Sequence, residues 1–268
     1  MQEYTVLPAI GMDAAAFWRE AEELARREQA DPMLAYLKLL IDRIEAAGQH
    51  LGPGDLRSLA TRIRFFPGVE EWFDRIDAYV RDRSDGRVRV EHYIISAGLR
   101  EILEGCSIRH RFRRIYASQY FFDQHGVARF PKVVINDTTK TQYLFRINKG
   151  RLDLHQEINE HMPEQERRIP FSQMLYIGDG LTDVPCMTVT RMNGGFAIAV
   201  RPPRNRRAHA VCKELLAGDR IDYHAIADYR EGSALEARVR LILDLIIARI
   251  RHAKERFRSR QALSGKAQ

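Results

Sequence analysis

Cysteine is scarce in this chain: Cys106, Cys186 and Cys212 are odd in number, widely spaced and without a Cys-x-x-Cys pair. That excludes a disulfide framework and a thiolate zinc site, and it fits a reducing cytoplasm. Long apolar runs are missing as well. The most hydrophobic helical stretch, residues 235–250, is interrupted by Glu236, Arg238, Arg240, Asp244 and Arg249. It reads as an amphipathic helix and not as a membrane span, so no membrane partner is expected. No aromatic-rich basic stripe, zinc-finger spacing or helix-turn-helix pattern is present, and there is no internal repeat.

What is there belongs to an ordinary globular protein. The 268 residues are 45% hydrophobic and 29% charged, enough to bury one large core with a smaller domain attached. The formal net charge is +7, and basic residues crowd into 109–114, 201–207 and 249–266. These read as solvated surface and a tail, so a nucleic-acid partner is not expected. The oligomeric state is not legible.

The chain opens in helical texture. Phe17, Ala21, Leu24 and Ala25 mark one helix, and Leu34, Leu37, Ile41 and Ile44 the next, with Asp31-Pro32 as a capped start. Glycine and proline at 52–54 then punctuate, and Asp55 can open a third helix. From Phe66-Pro67-Gly68 the texture changes. A helix is expected from Val69 to about residue 81, then a strand through Val88, Val90, Tyr93, Ile94 and Ile95 that stops at Ser96-Ala97-Gly98, then a helix over 99–104. Further strands are expected at 114–119, 174–177 and 195–200, with a helical segment near 152–161. Strands alternating with helices indicate an α/β fold with a Rossmann-like parallel sheet.

Two strand ends carry unusual residues. At Ser96-Ala97-Gly98 a hydroxyl and successive backbone N–H groups open a helix, which can cradle an anion. At Gly178-Asp179-Gly180-Leu181-Thr182-Asp183 two glycines allow a sharp turn and close approach, and two carboxylates offer hard oxygen ligands suited to Mg2+. Each alone also occurs as an ordinary helix cap or turn. His155, Glu157 and His161 lack the His-Glu-x-x-His spacing and read as a solvated face.

The order of a strand ending in serine, then a lysine, then a strand ending in Gly-Asp-Gly-x-x-Asp resembles the haloacid dehalogenase-like hydrolases, and among them the phosphoserine phosphatase-like phosphatases. The resemblance implies a haloacid dehalogenase-like core over 65–258 and a helical cap over 1–64; by its polar, basic composition the stretch 259–268 is expected to be a disordered tail. It implies Mg2+ as cofactor, a small phosphorylated metabolite as substrate and hydrolysis through an aspartyl-phosphate. Position by position, Ser96 with Ala97 and Gly98 corresponds to the phosphate-binding turn, Asp179 to the metal ligand and Asp183 to its acidic partner. For the active-site lysine, Lys149 is preferred because it precedes the helix expected near 152–161; Lys140 stays open.

One motif of that family is absent. Its nucleophile and general acid are an Asp-x-Asp pair on a central strand preceding the cap, and no two aspartates here are separated by one residue. A strand is harder to lose than a side chain, because its backbone bonds and buried area go with it. The expectation is that the sequence starts late, through a misplaced start codon or as a fragment, and that the chain as written is inactive. The alternative is a non-catalytic phosphate-binding or scaffold protein that keeps the fold.

Overall fold

The computed structural model describes residues 2–264 and has a mixed α/β fold with six strands and helices between them. The chain divides into two compact units. The first comprises Met1–Arg64, Glu91–Arg146 and Leu152–Gln156; the second comprises Phe65–Val90, Ile147–Arg151 and Glu157–Gln268. The helical first quarter, expected as a cap over 1–64, groups with the segment that carries the first three strands.

In the first unit the two leading helices, Ala14–Glu28 and Pro32–Ala46, begin where short acidic side chains cap them. Asp13 accepts from the Ala16 amide at 2.8 Å, and Asp31 accepts from the Met33 and Leu34 amides at 2.9 and 3.0 Å. Their apolar stripes bury Phe17, Leu37, Leu40 and Ile44. Strands β1 (His92–Leu99), β2 (Phe112–Phe122) and β3 (Ala128–Val133) form one sheet in that order. β1 and β2 run parallel, while β2 and β3 form an antiparallel hairpin. The hairpin is closed by Asp123, whose carboxylate accepts from the His125 and Val127 amides and from Arg129. β3 was not expected: Pro131 lies within it, and a proline is tolerated there because β3 is an edge strand.

In the second unit β4 (Leu175–Gly178), β5 (Phe196–Arg201) and β6 (Tyr223–Ile226) form an all-parallel sheet in the order β4-β5-β6. The crossovers are the helices Val184–Met192 and Arg206–Ala217. Met187, Ala197, Ala199, Cys212, Leu215 and Ile221 make one apolar cluster between them. The helices Val69–Arg83 and Ala234–Ser264 are linked by Glu236, buried and paired with Arg75, and by Asp244, which accepts from Tyr79 and Arg83. No helix among the described residues is long and apolar enough to cross a membrane.

The expected α/β fold with parallel strands is present, and among the described residues its strands lie in two three-stranded sheets. Two expectations are corrected. The helix expected near 152–161 is absent; the helix in this region is Lys140–Lys149. The cause is competition for carbonyls. The Arg146 guanidinium takes those of Asp153, Leu154 and Gln156, acceptors that a helix over 152–161 would need for itself, and the Lys149 ammonium takes those of Ile158 and Glu160. Lastly, residues 259–264 of the expected tail belong to the terminal helix, while residues 265–268 lie outside the described residues.

β1 and β4 share a feature. Each is the outermost strand of its sheet, and among the described residues each is paired on one side only. β5 is fully buried from Phe196 to Val200, as a strand covered on both faces should be. In β4, by contrast, Leu175, Tyr176 and Ile177 are all half-buried, as are Tyr93, Ile94 and Ile95 in β1. The alternation of a strand with one wet face is missing; both faces are partly covered and the edge is open.

Candidate active site

The Gly-Asp-Gly loop is built around a buried carboxylate. Asp183, 6% exposed, accepts from the Tyr176 phenol at 2.7 Å through Oδ1, and through Oδ2 from the amides of Asp179 and Gly180 at 3.2 and 3.3 Å. Its own amide donates to the Gly180 carbonyl at 3.1 Å. Asp183 thus folds the loop back on itself. Burial, and after it the negative charge of Asp183, push the Tyr176 phenol far above its usual value, so it remains a donor throughout the physiological range.

Gly178 is what permits this approach. A Cβ there would lie 2.6 Å from Asp183 Cβ and 2.7 Å from Met187 Cε. Neither Gly178 nor Gly180 has a left-handed backbone, so at Gly178 the requirement is space and not conformational freedom. Asp179, between them, is exposed at the carboxyl end of β4, where ligands of open α/β sheets bind. Tyr229 feels it: burial and then the Asp179 charge push that phenol up to about 12. Tyr229 is anchored by its amide bond to the Pro67 carbonyl and by edge contact with Trp72.

Ser96 lies in the first unit. β1 does not stop there but continues through a register shift to Leu99, and the helix that follows, Arg100–Leu103, has only four residues. The Ser96 hydroxyl accepts from the Gly98 amide at 3.0 Å. The Ala97 carbonyl accepts from the Tyr36 phenol at 3.0 Å, and that phenol accepts from Gln2 at 2.9 Å. The turn at Ser96-Ala97-Gly98 is therefore held by a buried tyrosine from the second leading helix.

The structure places the two lysines in different surroundings. Lys149 ends a helix instead of preceding one, and its ammonium donates to the Ile158 and Glu160 carbonyls. Lys140 opens that helix and is buried at 4% exposure. Asn136 starts the turn: its side chain accepts from the Thr139 amide at 2.9 Å, and its carbonyl accepts from the Lys140 amide at 3.1 Å. Asp179, Asp183 and Lys149 belong to the second unit, and Ser96 and Lys140 to the first.

The residues present do not by themselves fit Mg2+. Both oxygens of Asp183 already accept hydrogen bonds, which leaves Asp179 as the carboxylate turned outward. Among the described residues no group of three His, Cys, Asp or Glu side chains could hold a metal ion. A hard divalent cation needs several oxygen ligands in a fixed shell.

A HAD family hydrolase of Salmonella enterica subsp. enterica serovar Typhi aligns with this chain at a TM-score of 0.50 and 17% sequence identity, over 82% of this chain. The fold is haloacid dehalogenase-like. The chain spans about 60% of the length of that hydrolase. An uncharacterized protein of Borreliella burgdorferi is 25% identical over 248 residues, covering 84% of this chain and 85% of that protein. No protein-family model matches the chain. Likeness at these identities establishes the haloacid dehalogenase-like architecture and not a chemistry, which rests on the site itself.

Tyr36, Tyr176 and Tyr229 were missed by sequence reasoning. Tyr176 had a readable signal: with a period of two along β4, Tyr176 and Gly178 share a face, so a phenol beside the glycine loop follows from the strand. Tyr36 and Tyr229 reach their partners across 61 and about 50 residues, and nothing local marks them.

Proposed function

We propose that this chain is the larger part of a phosphomonoester hydrolase whose nucleophile is carried by a strand outside these 268 residues, and that it acts on a small phosphorylated metabolite. The observation that carries the reading is the open edge of β4: the strand that presents Asp179 is outermost, yet its side chains are half-buried on both faces. An apolar strand ending in Asp-x-Asp is what such an edge accepts. β1, which carries Ser96, has an edge of the same kind.

In the completed protein the first aspartate of that strand attacks phosphorus and forms an aspartyl-phosphate. The leaving alkoxide takes its proton from the second aspartate, and water then hydrolyses the acyl-phosphate. By the family resemblance, Ser96 would donate to the phosphoryl group and an active-site lysine, Lys149 or Lys140, would neutralise its charge. Asp179 contributes one carboxylate to a cation site that the added strand would have to complete. Asp183, with Tyr176, positions it.

A second reading, a non-catalytic phosphate-binding or scaffold protein, draws on Asp183, whose carboxylate accepts from three donors, and on the lack among the described residues of three His, Cys, Asp or Glu side chains that could hold a metal ion. One experiment separates the two: hydrolysis of 4-nitrophenyl phosphate by the 268-residue chain and by the same chain extended with an apolar strand ending in Asp-x-Asp. Turnover in the extended chain alone supports the hydrolase. Phosphate binding without turnover in either supports the scaffold, and turnover at an enzymatic rate in the unextended chain contradicts both.

A further inference from the structure

The second unit carries a concentration of positive charge that the hydrolase reading does not use. Arg201 ends β5, His224 lies in β6, His209 and Lys213 stand one turn apart on Arg206–Ala217, and Arg238 comes from the terminal helix. The His209 and His224 rings lie 5.5 Å apart between centroids. Arg238 donates to the His224 carbonyl and lies over the Tyr223 ring, while the Arg201 guanidinium reaches only the Pro202 carbonyl, at 3.4 Å. Arg201 Nε is buried without a hydrogen-bond partner. Among the described residues none of these five side chains is paired with a carboxylate.

Such a set is costly as it stands. Like charges held close together repel, and a buried N–H without an acceptor forfeits its hydration. Both imidazoles register this. Burial, followed by Arg201 and Lys213, lowers His209; burial, followed by His209, Arg238, Arg201 and Lys213, lowers His224. A doubly charged oxyanion would relieve both costs, since two guanidinium groups offer forked donors and the imidazoles can take up protons beside it.

We propose that Arg201, His209, Lys213, His224 and Arg238 form a binding site for a phosphate dianion, either free or as the terminal group of a small phosphate monoester. The site does not depend on the hydrolase reading, and it would stand if that reading failed.

The test is a proton NMR titration of the histidine ring signals of the full chain, with His209→Asn and His224→Asn for assignment. Inorganic phosphate and ribose 5-phosphate are compared with sodium chloride at equal ionic strength. Saturable shifts with phosphate, the ester or both, together with a rise in the apparent pKa of both rings, are expected. Lys213→Ala, an exposed change, should weaken binding about tenfold, and Arg201→Ala at least as much. Equal shifts with sodium chloride, or unchanged affinity in Lys213→Ala, overturn the proposal even if Arg201→Ala fails to fold. A response confined to a single-stranded RNA oligomer overturns it too, since the site would then read a polymer.

Discussion

Tyr176 and Asp183, one on the last strand before the loop and one at its far end, meet at 2.7 Å through a phenol-to-carboxylate hydrogen bond. This contact, with two backbone amides on the other oxygen, holds the Gly-Asp-Gly loop in the shape that exposes Asp179. Tyr176→Phe should therefore cost about 1.5–3 kcal/mol, the range for a buried hydrogen bond to a charged acceptor. Urea unfolding monitored by circular dichroism checks it. A change within about 0.5 kcal/mol would mean that the contact contributes nothing to the loop.

The glycines of the loop should separate sharply. Gly178→Ala forces a Cβ to 2.6 Å from Asp183 Cβ and should destabilise by about 1–3 kcal/mol. At Gly180 the nearest atom to an added Cβ is Thr182 Oγ1 at 3.7 Å, and the backbone is extended, so Gly180→Ala should stay within about 0.5 kcal/mol. Denaturation midpoints of the two variants, measured side by side, decide this.

Arg146 replaces a helix with a clamp. Arg146→Ala strips the Asp153, Leu154 and Gln156 carbonyls of their shared donor, at a cost of about 3 kcal/mol. Limited proteolysis should then cut between residues 152 and 161 well before the rest of the chain. Cleavage at the wild-type rate would show that the segment is held by other contacts.

Alkaline pH should weaken the fold through its buried phenols. Burial pushes Tyr116 up to about 12, partly offset by Arg114, and burial with the Asp179 charge does the same for Tyr229. Folded-state values above the unfolded value of about 10 mean that the folded chain keeps protons the unfolded chain releases. Their contribution is complete below about pH 10 and is lost as pH rises toward about 12. Urea midpoints across that window should fall less steeply in Tyr229→Phe than in wild type.

Much of this fold was legible because β1 and β4 are dense in Ile and Tyr and carry Ser96 and Gly178 toward their carboxyl ends. The caps Asp13 and Asp31 are local and could be read residue by residue. The failures are non-local. The 152–161 segment has helical spacing, but its carbonyls are claimed by Arg146 and Lys149, and the lysine preference built on that helix lost its basis. Pro131 hid β3. The separation into two sheets depends on which strand pairs with which, and hydrophobic pattern does not encode that. Asp179 and Asp183 stand out in the sequence as a pair of loop acids, but the role of Asp183 as the acceptor of three donors emerged only from the geometry.

The central claim is that β4 is an open edge awaiting a partner strand. Amide hydrogen exchange resolved to single residues tests it most directly. Alternate amides of a strand point to opposite neighbours, so those of Leu175–Gly178 that face away from β5 should exchange rapidly, while the amides of β5 that pair on both sides stay protected. Adding an apolar strand that ends in Asp-x-Asp should slow the exposed set. Full protection of all four β4 amides in the 268-residue chain alone would contradict the account.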